Sequence, residues 1–402
     1  MTPQPVTESG RLRPLRIAVV AACPFPLARG TPIRILRLAE ALAGRGHEVH
    51  VATYHLGSGP VAPGVQLHRI REIRSYQKVT PGPTYRKLLR VDPALGRLVR
   101  QLLRDRPFDV IHAHHYEGLL VGAAARAGTR VPLVYDAHTL LMSELPYFSM
   151  GLPASAKSLL GRWMDRHLPR LAEHTVCVTD RIRDKLVDDA GMDPARLSVV
   201  TNGIEVDHFD PAKMKAAATR NGKTLIFTGN LAEYQGIDLM LKAFQHVVAR
   251  NADARLLIAT DSSFAPYESL ARELGVRERL DLVASPAFEE LPRLLASADV
   301  AINPRTNCDG VPVKLLNYMA AARPVVSFAS SAPGVTHGRN GWLAESGNVE
   351  ALGEGIITLL AESDRARALG RAAREYVVEH CSWPMAAERC EVLYRELMRR
   401  TR

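Results

Sequence analysis

Short apolar segments alternate with amphipathic segments of helical period along almost the whole chain, and this alternation limits the fold more than any other feature. A helix between two strands carries the chain back across a sheet, so that the two strands run parallel. The pattern therefore predicts an α/β fold with parallel sheets flanked by helices. The predicted strands are residues 16–23, 47–54, 65–70, 109–115, 131–138 and 174–180, and then 223–230, 254–261, 279–285, 299–304 and 323–329.

The alternation occurs in two series, which predicts two doubly wound domains. The chain has 402 residues, and a single core rarely grows beyond about 250–300 residues. We expect one domain over residues 16–205 and a second over residues 223–380, joined by a polar linker at residues 206–222. Residues 1–15 are typical of a disordered tail, and residues 381–402 of a final amphipathic helix.

The positive charge of the chain is concentrated in its first half. The net charge is +10, and residues 1–200 carry 28 basic and 17 acidic side chains, whereas the remainder carries 24 and 25. Two basic segments, residues 85–106 and 157–171, place Leu, Val or Trp at helical spacing among Arg and Lys. This pattern is typical of helices at an anionic membrane surface, and also of surface helices whose Arg stems cover apolar neighbours. Aromatic residues are few, so we expect no nucleic-acid partner.

The sequence also bears on the cellular compartment. No apolar run approaches the roughly 18 residues of a membrane span, and the first sixteen residues lack the apolar segment of a secretory signal. The five cysteines show no CxxC spacing, and Cys23 and Cys177 lie in apolar strand segments. Buried free thiols are typical of a reducing compartment. We therefore expect a cytoplasmic protein without a structural metal.

The most distinctive loops follow predicted strands. Open parallel sheets bind ligands at the carboxyl ends of their strands, so two facing sheets predict a functional cleft lined by these loops. The segments concerned are PFPLARGTP (24–32), HAHHYEG (112–118), DAHTLL (136–141), TNGIE (201–205), GNLAEYQG (229–236) and NCDGVPVK (307–314).

The order of these segments resembles that of the family-4 retaining glycosyltransferases of the GT-B fold. The resemblance runs from about Arg16 to the C-terminus and rests on GTPIRILRLAEALAGRGHEVHVAT, TNGIEVDHFDP, GNLAEYQGIDLMLKAF, DGVPVKLLNYMAAARPVV and GRNGWLAESGNVEAL. It implies two Rossmann-like domains that face each other across a cleft. The first would hold the acceptor and the second a nucleotide-sugar donor, with the last helix returning to the first domain and no required metal.

A diphosphate leaving group has to be stabilised by fixed hydrogen-bond donors or cations. Backbone N–H groups at helix N-termini provide such donors, and Gly lets the backbone approach a phosphate closely. Two segments in front of predicted helices are placed for this role, namely Gly30-Thr31 and Gly310-Val311-Pro312. The alternative for each glycine is an ordinary turn before a helix.

The usual phosphate-binding cations of the resembled family are absent. That family reads Gly-Arg … Lys-Gly where this chain has GNLAEYQG, so that Gly229 is followed by Asn230, and Gln235 replaces the Lys. We expect a clamp that has moved to Arg305, after a second-domain strand, and Lys314, in the first turn of the next helix. The alternative for each is an ordinary surface cation.

The resembled family also has two Glu residues separated by seven others, and this chain has Asp309 and Asn317 in their places. By resemblance the first contacts the hydroxyls of the donor sugar and the second the ribose. Asn317 keeps an acceptor oxygen but loses the charge, and it shares a helix face with Lys314. Leu315 and Asn202 complete the residues that we expect on the donor side.

His138 matches the histidine that lies near the reacting carbon in the resembled family, although a structural pair with Asp136 is the alternative. We assign the acceptor side to His114, His115, Glu117 and Glu144. We do not expect His112, His114 and His115 to bind a metal, because residues 114 and 115 of one strand point to opposite faces and no carboxylate cluster is apparent.

Together with the resemblance, which implies retention and no required metal, these residues predict transfer of a sugar from UDP or GDP to a glycan or lipid-linked glycan, in the cytoplasm or peripherally at the inner face of the membrane. The predicted catalytic residues are His138, Asp309, Lys314 and Arg305. No protein nucleophile is identifiable from the motifs. The resemblance implies that a diphosphate oxygen assists the acceptor on the same face. No cofactor is expected. The alternatives are a weak or inactive nucleotide- or glycan-binding partner or regulator, which the missing clamp favours, and an epimerase, which the motif order disfavours.

Overall fold

A computed structural model of the chain describes residues 13–27, 30–79, 84–147, 151, 153–214, 222–308 and 311–401. These residues form two compact units. The first unit ends at Gly203 and also includes the C-terminal segment from Trp383, and the second unit is Ile204–Ser382. The chain therefore passes from one unit to the other twice, between residues 203 and 204 and between residues 382 and 383.

The described part of the first unit contains a seven-stranded parallel sheet. Its strands are β1 (Arg16–Ala21), β2 (Glu48–Thr53), β3 (Val65–Arg69), β4 (Val110–His114), β5 (Leu133–Ala137), β6 (His174–Cys177) and β7 (Leu197–Val199). The helices are α1 (Gly30–Gly44), α2 (Asp92–Asp105), α3 (His115–Ala125), α4 (Leu141–Glu144), α5 (Ala154–His167) and α6 (Asp180–Asp188). The strand order is β3-β2-β1-β4-β5-β6-β7.

The second unit, over the residues described, has a six-stranded parallel sheet in the order β10-β9-β8-β11-β12-β13. Its strands are β8 (Thr224–Thr228), β9 (Arg255–Thr260), β10 (Leu280–Ala284), β11 (Val300–Asn303), β12 (Val325–Phe328) and β13 (Trp342–Ala344). The helices are α7 (Ile237–Arg250), α8 (Glu268–Glu273), α9 (Leu291–Ala296), α10 (Val313–Ala320), α11 (Val349–Ala361) and α12 (Ser363–His380).

The last helix, α13 (Trp383–Thr401), packs against α1 in the first unit. Both faces of the first sheet are therefore covered. In β1, Ile17 and Val19 belong to the core under α1 and α13, whereas Ala18 and Val20 belong to the core under α2 and α3. Burial on both faces explains the unbroken apolar runs of these strands, because alternation with polar residues requires one solvated face. The predicted fold class, two parallel-sheet α/β domains, is confirmed.

Two predictions about the connecting segments need correction. Leu15 is buried and Arg13 forms an ion pair with Asp109, so residues 13–15 are not part of a disordered tail. Residues 1–12 lie outside the described part of the chain. Residues 206–214 of the predicted linker pack into the second unit, where Phe209 is fully buried and Arg374 donates to the carbonyl oxygens of Val206 and Phe209.

The sequence patterns missed β7 and β13. Each has three residues and lies at one edge of its sheet. A segment this short shows neither a long apolar run nor a measurable period, because the pairing of its backbone with the neighbouring strand defines it.

Gly203 packs against Trp383, the first residue of α13. A Cβ at Gly203 would overlap the Trp383 ring and lie 2.6 Å from the Trp383 backbone nitrogen. We therefore expect Gly203→Ala to destabilise the first unit by about 1–3 kcal/mol, the usual cost of overpacking, and to lower the apparent Tm.

Gly96 provides the matched control, because it lies inside α2 and a Cβ added there would have nothing within 4 Å. Gly96→Ala should raise stability by about 0.5–1 kcal/mol, since Ala has the higher helix propensity. Thermal unfolding of both variants checks the pair. An unchanged Tm for Gly203→Ala would contradict the close packing of α13 on this turn.

Candidate functional site

The loop between β8 and α7, residues 229–236, is the GNLAEYQG segment. It contains two residues with left-handed backbone, Gly229 (φ 124°) and Gly236 (φ 70°). A side chain at Gly236 would overlap the carbonyl oxygen of Pro304, which follows β11. Glycine is therefore needed for both the turn and the close approach. This packing places the loop against the carboxyl end of β11.

Lys314, in the first turn of α10, reaches into the same region. Its Nζ donates to Gln235 Oε1 at 2.9 Å and lies 3.8 Å from the centre of the Phe227 ring. The side chain also passes over Gly229, where a Cβ would lie 3.1 Å from Nζ. No carboxylate among the described residues forms an ion pair with Lys314. A neutral amide and an aromatic face are thus its described partners.

Burial lowers the pKa of Lys314 well below its ordinary value, and the positive charge of Arg305 lowers it further. A partly buried cation that has no carboxylate partner is costly, and an anion bound nearby offsets that cost. The arrangement around Lys314 is therefore suited to a bound anion.

Arg305 is the second cation of this region. Its guanidinium lies 4.8 Å from the centre of the Tyr234 ring, and its Nε is buried without a hydrogen-bond partner among the described residues. Asn230 links the two sides, because its Nδ2 donates to Tyr234 and its Oδ1 accepts from Gln235 Nε2 at 3.2 Å. The tertiary structure thus brings Arg305 and Lys314 around the loop in which the sequence lacks cations.

Asn317 is 8% exposed, and its Oδ1 has no hydrogen-bond partner among the described residues. An unpartnered buried carbonyl oxygen can accept a hydrogen bond from a ligand hydroxyl. Pro312 precedes α10 as its N-cap, and Val311 packs against the core beside it. Asp309 and Gly310 lie outside the described residues.

Leu315 requires a correction. We predicted it on the donor side, but its side chain is fully buried in the core beneath α10. Residues 314 and 315 of a helix point about 100° apart, so Leu315 faces the sheet when Lys314 faces the loop.

In the first unit, a buried ion pair joins Arg34 of α1 to Asp136 of β5, and neither side chain is more than 2% exposed. Arg34 Nε and Nη2 donate to Asp136 Oδ2 at 3.1 and 3.0 Å. The other guanidinium protons go to the carbonyls of Val200 and Thr201 and to Asn202 Oδ1. All five N–H donors of the guanidinium are used. The role predicted for Asn202 in donor binding stays a prediction, and in this structure its oxygen holds Arg34.

Three histidines surround Asp136. His112 Nε2 lies 3.3 Å from Asp136 Oδ2, and His112 Nδ1 lies 2.6 Å from the hydroxyl of Tyr394 on α13. His138 Nε2 lies 3.1 Å from His114 Nδ1 and 3.7 Å from Asp136 Oδ1. His114 is only 2% exposed. We therefore revise its predicted acceptor contact to a supporting position behind His138.

Burial and neighbouring charges fix the protonation states of Asp136, His114 and His138. Burial lowers the pKa of His138 to about 3, and burial likewise holds the pKa of His114 well below its ordinary value. Burial would raise the pKa of Asp136, but Arg34 and the histidines hold it well below its ordinary value. Asp136 is therefore a carboxylate and both histidines are neutral near pH 7.

His112, His114 and Asp136 place one ligand atom each within 4.8 Å of one another, an arrangement that a metal ion can use. The sequence patterns did not place Asp136 with these histidines. The two imidazoles stack with their centres 4.5 Å apart, and Arg34 already donates twice to the carboxylate. A full positive charge beside the carboxylate opposes a divalent cation, so the cluster fits an ion-pair network better than a metal centre.

His115 leads to a second cluster at the carboxyl end of the sheet. It has left-handed backbone (φ 64°) at the start of α3. Its Nδ1 lies 3.0 Å from Glu117 Oε2, and its Nε2 lies 3.8 Å from Glu144 Oε2. Glu117 also pairs with Lys87. Left-handed backbone strains a non-glycine residue, and such strain is concentrated at functional sites.

Our prediction that His114 and His115 point to opposite faces is wrong. The His138 ring centre lies 5.4 Å from that of His114 and 6.0 Å from that of His115. The prediction assumed an extended strand through both residues. In the structure β4 ends at His114, and the left-handed turn at His115 removes the alternation.

The pKa values of both carboxyl groups are also shifted in the second cluster, which consists of Lys87, His115, Glu117 and Glu144. Burial would raise the pKa of Glu117, but His115 and Lys87 lower it to about 2. Burial raises the pKa of Glu144, whose Oε2 is buried without a hydrogen-bond partner among the described residues. Glu144 is thus the carboxylate of this cluster that is left to bind a hydroxyl donor.

Sequence patterns did not identify Arg34, Lys87 or Tyr394. Arg34 interrupts the apolar stripe of α1 at a position that faces the core, which is the one signal that sequence offers for it. Lys87 belongs to a π-helical turn, Lys87–Val91, before α2, and such turns are frequent at functional sites.

Gly30 and Thr31 begin α1, as expected, but nothing in the structure tests their contact with a phosphate.

Several large apolar side chains of the basic segments are exposed. Leu88 and Leu89 precede α2, and Trp163 lies on α5 with Leu159. Across the part of the chain that is described, no helix has the length and apolar character needed to cross a membrane.

Two family models match the chain. Residues 28–208 match the model described as Glycosyltransferase Family 4, and residues 222–362 match the model described as Glycosyl transferases group 1. The D-inositol 3-phosphate glycosyltransferase of Thermobispora bispora is 27% identical over an alignment of 423 positions, which covers 97% of this chain and 96% of that protein.

Solved structures agree on the fold. Sucrose-phosphate synthase from Thermosynechococcus elongatus has a TM-score of 0.78 at 19% identity, with 96% of this chain and all of that chain covered. Anabaena Alr3699/HepE in complex with UDP and glucose has a TM-score of 0.70 at 17% identity, covering 94% of this chain and 99% of that chain. The chain is thus a glycosyltransferase that belongs to family 4 and has the GT-B fold.

Proposed function

We propose that this glycosyltransferase transfers a sugar, with retention and without a metal, from a nucleoside diphosphate to a glycan or lipid-linked glycan. The observation that carries this proposal is the pair of cations Lys314 and Arg305, which lie around the loop after β8 with no carboxylate partner among the described residues.

The donor side of the proposed site has to stabilise negative charge. A leaving diphosphate carries negative charge that fixed cations stabilise in the transition state. Lys314 and Arg305 supply two charges where the resembled family uses other positions. Asn317, three residues after Lys314, presents its unpartnered Oδ1 on the same face of α10, where a ribose hydroxyl can donate to it.

UDP is the nucleotide that we choose to test first, because the structurally similar Anabaena Alr3699/HepE is a complex with UDP and glucose. Asp309 and Gly310 complete the proposed donor loop by resemblance. Gly30 and Thr31 at the start of α1 are proposed as backbone donors to the diphosphate.

The acceptor side is assigned to the cluster of His115, Glu117 and Glu144. Both basic groups of this cluster, Lys87 and His115, are already paired with Glu117. Glu144 keeps a carboxylate oxygen for a sugar hydroxyl. His138 is proposed to contact the donor sugar. The diphosphate oxygen, rather than a protein nucleophile, would assist the acceptor on the same face.

Our first functional prediction concerns the two cations. Lys314→Met and Arg305→Met should each lower kcat/KM for the donor by about a hundredfold, which corresponds to roughly 2.7 kcal/mol of lost charge stabilisation. The measurement is nucleotide release from a panel of UDP- and GDP-sugars, with and without a chelator, and wild-type activity should survive the chelator.

Lys242→Met is the matched control, because Lys242 lies on the exposed side of α7 beside Asp238 and should not affect turnover. If neither Lys314→Met nor Arg305→Met changed turnover, the moved clamp would be wrong. Binding of UDP without turnover of any donor, even with glycan extracts as acceptors, would instead favour a noncatalytic nucleotide-binding member.

A second prediction concerns pH. Because burial keeps the pKa of Lys314 low in the free protein, a bound diphosphate should raise that pKa, so that UDP binding takes up a proton. The affinity for UDP should therefore fall as pH rises. Calorimetry between about pH 7 and pH 9, above the second phosphate pKa of about 6, measures both the Kd and the proton uptake.

Lys314→Met should bind UDP weakly and with a flatter pH dependence, since the titrating group is gone. Lys242→Met again serves as the control. Wild-type binding that releases protons, or that strengthens with rising pH, would contradict this account of Lys314.

We also propose that the first unit binds the anionic inner face of a membrane. Leu89 and Trp163 are 70% and 58% exposed beside Arg86, Arg90 and Arg162. The helix α2 and the segment after α5 both pack against α3, so the two basic segments belong to one helical layer of this unit. Exposed apolar side chains among cations are suited to an anionic lipid surface.

The full-length protein should therefore sediment with vesicles that contain phosphatidylglycerol, and less with phosphatidylcholine alone. The triple variant Leu88→Ser, Leu89→Ser, Trp163→Ser should weaken vesicle binding by at least about tenfold, because it removes three exposed apolar side chains that would insert into the lipid. Leu282→Ser is the control, since Leu282 is exposed in the second unit. Equal binding to both kinds of vesicle would disprove the membrane proposal.

A further inference from the structure

Resting on the proposed role of His138 in sugar transfer, we propose that Tyr394, His112, Asp136 and His114 form a positioning relay. The relay holds His138 as the neutral tautomer protonated at Nε2, with Nδ1 as the hydrogen-bond acceptor for substrate. It begins on α13, so that the C-terminal helix takes part in orienting a residue of the site.

The first step is set by His112. Its Nε2 faces Asp136 Oδ2 at 3.3 Å. A bare ring nitrogen beside a carboxylate would be repelled, so the Nε2 of His112 carries the proton. Its Nδ1 is then an acceptor, and the Tyr394 hydroxyl donates to it across 2.6 Å. Tyr394 is fully buried, so its hydroxyl needs hydrogen-bond partners, and His112 Nδ1 lies within hydrogen-bond distance of it.

The second step is the asymmetry of the Asp136 carboxylate. Its Oδ2 accepts two hydrogen bonds from Arg34 and faces the His112 Nε2 proton. Its Oδ1 is buried and accepts no hydrogen bond from any described residue. His138 Nε2 lies 3.7 Å from this oxygen. The negative charge left unsatisfied therefore faces His138.

The neutral rings of His114 and His138 share one proton. His114 Nδ1 and His138 Nε2 are 3.1 Å apart, so one of them donates to the other. A proton on His138 Nε2 lies near the unsatisfied Oδ1. One of the two nitrogens therefore stays bare beside the carboxylate. The repulsion is weaker at His114 Nδ1, 3.5 Å from Oδ2, because Arg34 donates two hydrogen bonds to that oxygen. The field of Asp136 thus favours the proton on His138.

This tautomer decides what His138 can do. Its Nδ1 carries a lone pair and accepts a hydrogen bond from a sugar hydroxyl, but the ring does not act as a cation near neutral pH. The low pKa of the ring, about 3, agrees with this neutral role. The side chain is 10% exposed, which leaves its outer edge accessible to a ligand. His112, His114 and Asp136 act only through His138 and are positioning residues.

The test is the ¹⁵N NMR spectrum of the full chain labelled at histidine, at pH 7, with His138→Asn to identify the His138 resonances. Protonated and bare ring nitrogens have well separated ¹⁵N shifts. We expect a protonated Nε2 and a bare Nδ1 at His138, unchanged down to about pH 5. The opposite tautomer, or an imidazolium at pH 7, would overturn the proposal.

Two substitutions of His114 separate positioning from packing. His114→Asn retains an acceptor oxygen near the former Nδ1, and His114→Leu removes it. His114→Leu should give mixed tautomers at His138 and lower kcat by about ten- to a hundredfold with little change in donor KM, as is usual when a supporting hydrogen bond is lost. His114→Asn should recover most of both losses. Equal effects of the two substitutions would mean that His114 is structural only.

Tyr394→Phe tests the far end of the relay. It should free the His112 tautomer and lower kcat about fivefold, the value of one hydrogen bond. Leu397→Ala on the same helix is the control, because it should lower the Tm at least as much and leave the His138 shifts unchanged. If Tyr394→Phe alters neither the His112 shifts nor kcat, the relay does not extend to α13.

The NMR measurement also separates this inference from the proposed function. If the predicted tautomer is found but His138→Asn retains full turnover, the relay exists and the role of His138 in transfer is wrong. If His138→Asn is inactive but the wild-type tautomer is the opposite one, the proposed function stands and the relay is wrong.

Discussion

The buried ion pair between Arg34 and Asp136 is the interaction on which the first unit and its site depend. It joins α1, the centre of the sheet and the segment after β7, and it orients the histidines at the carboxyl ends of β4 and β5. A buried pair is tolerated only when its hydrogen bonds are satisfied, and loss of one partner usually costs about 3–5 kcal/mol. Arg34 meets this condition because each of its N–H groups has an acceptor.

Two cations of the second unit, in contrast to Arg34, have no carboxylate partner among the described residues. Lys314 contacts an amide and an aromatic ring, and Arg305 stacks on Tyr234, without a carboxylate partner among the described residues. The contrast separates charge that stabilises the fold from charge that we propose binds the donor. A satisfied pair stabilises the fold, whereas an unsatisfied cation makes the free protein less stable and gains stability when an anion binds.

Most of the fold follows from local patterns, because strands buried on both faces require long apolar runs. The patterns also pointed to Lys314 and Arg305, since each follows a strand or begins a helix. They failed for Leu315, whose direction depends on the rotation of α10 against the sheet, and for His115, whose left-handed backbone ends β4 one residue earlier. They could not reveal the pairing of Arg34, because its partner Asp136 is 102 residues away in sequence.

The sequence by itself determined two parallel α/β domains, the loops in which we propose the functional site, and the absence of the usual cations at Asn230 and Gln235. Only the tertiary structure decided which side chains in those loops meet. Hydrophobic periodicity is a local property that specifies which face of a helix or strand is buried. Ion pairs, tautomers and unpartnered groups depend on contacts between distant segments, such as Tyr394 with His112, and these exist only once the sheet and helices have packed.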